Sequence, residues 1–72
     1  VVFRNEKIDN LILKLQRLYN VTIINNSQSL STNLFNANIF VENESIETVM
    51  NYLKEVYNID YQIVNNKIII NK

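Results

Sequence analysis

Seventy-two residues with seven basic and seven acidic side chains, and no Cys, His, Gly or Pro, make one small module near the lower size limit for a single core. Packing of its 47% apolar residues must stabilise it, because neither a disulfide nor a His/Cys metal site can form. The balanced charge argues against a nucleic-acid binder working through a broad positive face. Residues 1–38 carry four basic and two acidic side chains and residues 39–72 three and five, a modest dipole that we read as incidental.

Val1 to Arg4 is a β-branched and aromatic run, the first expected strand, and Asn5-Glu6-Lys7 is the expected turn into a helix. Ile8, Leu11, Ile12, Leu15, Leu18 and Tyr19 then recur on one helical face. Asn20 is the expected stop: without Gly, Asn best tolerates the left-handed conformation that closes a helix. Val21 to Ile24 is the second strand. The polar stretch Asn25 to Asn33 is expected to be a surface loop with Leu30 tucked inward, and Leu34 to Glu42 the third strand. Ile46, Val49, Met50, Leu53, Val56 and Tyr57 give a second helical face ending at Asn58, started by Ser45 or Glu44. Ile59 to Val64 and Lys67 to Asn71 are strands joined by Asn65-Asn66, which predicts a hairpin turn with both asparagines at positive φ. That turn sets Val64 opposite Lys67 and Ile63 opposite Ile68. It gives a core face of Tyr61, Ile63, Ile68 and Ile70.

The two halves are copies. A shift of 38 residues lays Asn5 on Asn43, Glu6 on Glu44, Ile8 on Ile46, Leu15 on Leu53, Tyr19 on Tyr57 and Asn20 on Asn58. Two copies are too few for a solenoid. The expected architecture is therefore α+β, a duplicated βαβ unit in the order β-α-β-β-α-β-β, forming a single unit over residues 1–72. The first strand pairs with the third, the second lies beside the final hairpin, and both helices pack between two small sheets.

Catalysis is poorly provided for. There is no His for acid–base work near neutrality and no Cys, and the serines have no His to serve them. Phosphate loops require glycine. Glu42, Glu44 and Glu47 form one acidic cluster, but calcium-loop spacing is absent and a solvated helix N-terminus explains them. Tyr19 and Tyr57 could be a paired recognition feature, but at helical spacing they read as core residues whose hydroxyls reach the surface.

No enzyme, cofactor or metal site is expected, and neither nucleic acid nor a small-molecule substrate. The remaining signal is apolar residues out of phase with their strands, Val2, Ile24, Phe40 and Ile69. They are either covered within the fold or form a protein-binding surface. On the second reading the candidate residues are Val64, Lys67, Ile69, Ile24 and Phe40. The last strand is expected to be an edge open to strand addition.

The chain resembles the C-terminal domain of FecR-type anti-sigma factors of the Bacteroidetes sort, which is similar in turn to the secretin and TonB-receptor short N-terminal domain. The match is carried by Val1, Phe3, Asn5 and Ile8, then Leu15 to Ile23, Phe35 and Ala37, Glu42 to Met50, Tyr61, and Asn66 to Ile70. Lys7 and Ala37 depart from the family's Pro and Gly. The isolated domain is expected to be a monomer, and the resemblance implies a non-enzymatic periplasmic module of a regulator anchored in the inner membrane. Such a module would bind the periplasmic signalling domain of a TonB-dependent receptor and relay its state to an extracytoplasmic-function sigma factor. The alternative is the short N-terminal signalling domain of a transducer or secretin itself. The sequence contains no signal peptide and no membrane span. It starts at Val1 rather than Met, so an anchor is expected outside this segment.

Overall fold

The computed structural model describes residues 1–71. Two 12-residue helices, α1 (Ile8–Tyr19) and a later one at Ile46–Tyr57, begin and end where the apolar periodicity says. Before α1 runs β1 (Val2–Lys7). The chain then continues through β2 (Thr22–Asn25), the short helix α2 (Gln28–Ser31), β3 (Leu34–Asn38), α3 (Ile46–Tyr57), β4 (Asp60–Val64) and β5 (Lys67–Asn71). Both long helices close on a left-handed asparagine, Asn20 and Asn58. Their N-termini differ. Ser45 accepts a hydrogen bond from the Thr48 N–H, whereas Lys7 caps α1 without a side-chain bond.

The strands form two sheets. β1 and β3 pair antiparallel, and the second sheet has the order β2-β5-β4. β5 runs parallel to β2 and antiparallel to β4. The two halves thus keep opposed strand directions across both sheets, and the extra strand β5 is inserted between β2 and β4. This corrects the expectation for the last strand: Lys67–Asn71 is central, and the edges are β2 and β4. The reason is burial, because Ile68 and Ile70 are fully enclosed and a central position covers both sides of their strand.

The helices pack between the sheets, and Ile8, Leu11, Leu15, Met50, Ile68 and Ile70 are completely buried. Phe3 and Phe35 meet edge to face at 5.5 Å on the inner face of the two-stranded sheet. Leu18 and Val56, assigned by periodicity to the apolar faces, are exposed instead, at the outer margins of the two stripes.

Four local expectations are revised. β1 continues to Lys7 because Asn5, at φ 47, forms a bulge and donates its N–H to the Asn36 side chain at 2.8 Å. β3 stops at Asn38 instead of running to Glu42. The Phe40 carbonyl accepts from Asn43 and Glu44 N–H, and the Glu44 carboxylate accepts from Phe40 N–H at 2.7 Å, which makes a tight turn. The segment 25–33 contains α2, whose buried cap Ser27 accepts from Leu30 N–H, while Leu30 points inward as expected. In the hairpin turn Asn65 alone is at positive φ, and the register is the expected one.

Candidate functional site

Period-two alternation in three paired strands assigns the two faces of the larger sheet. Ile23–Ile68–Ile63 and Asn25–Ile70–Tyr61 form cross-strand rows on the helix side. Thr22–Lys67–Val64 and Ile24–Ile69–Gln62 form rows on the opposite side. No layer of the described residues lies upon that outer face: Ile24 is 38% and Val64 54% exposed, and Ile69 is half-buried between its neighbours.

Four of the five candidates, Ile24, Val64, Lys67 and Ile69, are therefore brought together on one surface. Phe40 does not join them. It lies on the turn after β3, is 60% exposed, and lines a shallow hollow with Val1 and Val41 on the side of the other sheet. Val2, also out of phase, is likewise exposed on that smaller sheet.

The two edges of the larger sheet differ. On β2, the outward Ile23 N–H is taken by Gln16 Oε1 at 2.8 Å. This blunts the edge. β4 is open. Its even residues pair with β5, so the main-chain groups of Tyr61 and Ile63 point outward. No other backbone group among the described residues bonds to them. Ile63, expected in the core, is 39% exposed beside this edge. Sequence reasoning placed the open edge one strand too late. The run of apolar residues at Ile68 to Ile70, too apolar for an edge, was the available signal for a central strand.

Tyr19 and Tyr57 tie their helix ends to distant main-chain carbonyls. Tyr19 Oη donates to the Glu44 carbonyl at 2.7 Å and Tyr57 Oη to the Leu34 carbonyl at 2.8 Å. Burial pushes both phenols above the ordinary tyrosine range, with the Glu44 charge adding to the effect at Tyr19 and Tyr52 adding at Tyr57. In the acidic cluster, Glu44 caps Phe40 and Glu47 lies in the first turn of α3. No group of metal-ligating side chains converges among the described residues. No helix among them is long and apolar enough to cross a membrane.

Comparison with known proteins adds a lineage to this geometry. The family model described as FecR, C-terminal matches residues 1–70. Two crystal structures of a protein from Parabacteroides distasonis ATCC 8503, provisionally named an anti-sigma factor, superpose with TM-scores of 0.84 and 0.83 at 24% identity. Each alignment covers 100% of this chain and 33% of the other, so the chain spans about a third of the length of those structures. No curated protein matches the sequence.

Proposed function

Because the chain belongs to the FecR C-terminal family, we propose that it is the protein-interaction module of a FecR-like anti-sigma factor. It acts as one unit over residues 1–72, in the periplasm, as part of a regulator anchored in the inner membrane. It binds the signalling domain of a TonB-dependent outer-membrane transducer and passes that protein's state to an extracytoplasmic-function sigma factor. It works by docking, without chemistry of its own and without a cofactor.

The observation that carries this reading is the uncovered outer face of the β2-β5-β4 sheet. Ile24, Val64 and Ile69 lie there side by side, next to the open β4 edge. Isolated exposed apolar residues need no explanation, but a patch spanning two adjacent cross-strand rows of a sheet face, next to unpaired main-chain groups, offers both area and direction to a partner. Lys67 supplies one charge in the same patch, enough to favour an acidic neighbour without dominating the contact.

The test uses the full-length regulator in cells carrying a reporter for its sigma factor. Ile69→Glu should abolish the response to the transducer's inducer while the regulator stays at normal abundance, and Ile69→Val should respond normally. A normal response from Ile69→Glu would overturn the reading.

A further inference from the structure

A second strand edge is open on the far side of the molecule. Val1 and Ile39 exchange hydrogen bonds, Ile39 N–H donating to the Val1 carbonyl at 2.8 Å and the Val1 amino group to the Ile39 carbonyl at 2.7 Å. The odd residues of this strand and its extension therefore face β1, and the even ones face away. Three of those outward groups are already used, at Leu34 and at Phe40, whose carbonyl accepts from Asn43 and Glu44 N–H. The Leu34 carbonyl accepts from Tyr57 Oη, and the Phe40 N–H donates to Glu44. Between these two clamps the N–H and C=O groups of Asn36 and Asn38 face outward, and no group among the described residues bonds to them.

Beside this edge lies a groove of about 160 Å³ between β3 and α3. Phe35, Ala37 and Val49 make its apolar lining, Thr48 and Tyr52 stand on the helix side, and Glu44 supplies its charge. Tyr52 is 45% exposed, and its ring meets Phe35 edge to face at 5.9 Å. The volume is close to the ~150 Å³ at which a cavity admits a benzene-sized group, so one branched aliphatic side chain fits.

We propose that this groove takes an extended, basic peptide segment by strand addition to β3. The geometry defines the occupant in three respects. Unpaired N–H and C=O groups in a strand are best met by another main chain. The apolar lining suits one aliphatic side chain of that strand, the residues on either side of it pointing away. Among the described residues no basic side chain lines the groove, whereas Glu44 does and Glu42 and Glu47 lie within three residues of it in the sequence, so Lys or Arg is favoured at the outward positions. The site is independent of the outer face of the larger sheet and stands whether or not the transducer docks there.

The test titrates the ¹⁵N-labelled domain with the peptide acetyl-Lys-Val-Lys-Val-Lys-amide. The amides of Asn36, Asn38, Thr48 and Val49 should shift, and shifts should weaken as salt rises. Two further peptides carry N-methyl groups on alternate residues, one on each set. One of them should bind about tenfold more weakly and the other unchanged, because only one set of N–H groups faces β3. Thr48→Phe, which fills the groove, should lose binding with an unchanged melting temperature, and Asn38→Pro should lose it by removing a donor. No shift at millimolar peptide, equal binding by both methylated peptides, or shifts confined to β4 would each overturn the proposal.

Discussion

Asn20 and Asn58, 38 positions apart, end their helices in the same left-handed conformation, each at φ 54. A left-handed residue with a Cβ costs about 1–2 kcal/mol, and asparagine offsets part of that through its short polar side chain. Asn58→Gly should therefore be neutral or slightly stabilising, whereas Asn58→Ala should cost about 1 kcal/mol. Urea denaturation of both variants, and of the Asn20 pair, checks this. The two sites should give matching values if the copies are equivalent.

The tyrosine hydroxyls tie each helix end to a distant carbonyl. Each bond is worth about 1 kcal/mol in stability, so Tyr19→Phe and Tyr57→Phe should each lose about that much. Both phenols titrate above their ordinary value in the fold, so the folded state holds these protons more tightly than the unfolded state does. Their contribution is complete below the unfolded tyrosine pKa of about 10 and falls as pH rises through the folded values. Alkaline denaturation followed by circular dichroism should be shallower in the double variant.

Glu6 and Lys14 meet at 2.7 Å across the β1–α1 junction, and the Lys14 ammonium lies 5.5 Å from the Phe3 ring centre. The hydrogen bond from Lys14 is the first cause holding the Glu6 carboxyl below its ordinary range. Carboxyl titration by NMR should show this depression, and Lys14→Met should remove most of it. Since the folded pKa is lowered, whatever the pair contributes is present above the unfolded glutamate pKa and lost as pH falls through the folded one.

Ile69 and Ile70 are neighbours with opposite roles. Ile70 is fully enclosed, and Ile70→Ala should cost about 2–5 kcal/mol. Ile69 faces outward between Ile24 and Gln62. Ile69→Glu should leave the melting temperature within a few degrees while weakening partner capture. An equal loss of both properties would make Ile69 a core residue.

The strongly periodic parts of the chain were legible in advance. Two helices with 38-residue spacing, their asparagine stops and the Val64–Lys67 register follow from patterning that local chemistry and tertiary packing both obey. What was not legible depends on pairings between distant segments. The apolar run Ile68 to Ile70 favours a central place for β5, but which strand flanks it depends on where β2 docks, 45 residues away in the sequence. Asn5 looked like a turn because a bulge at positive φ uses the same residue type. Four candidate surface residues converged because they share the parity of one sheet face. Phe40 did not, since its chain segment leaves β3 before the expected end and turns at Glu44.

The claim on which the functional reading rests is that the partner covers the outer face and open edge of the β2-β5-β4 sheet. It is tested most directly by titrating the ¹⁵N-labelled domain with the periplasmic signalling domain of the cognate TonB-dependent transducer and mapping the perturbed amides. The perturbed amides should form a continuous patch through Ile24, Tyr61, Gln62, Ile63, Val64, Lys67 and Ile69. Absence of binding, or perturbations confined to the β1–β3 side around Val2 and Phe40, would contradict it.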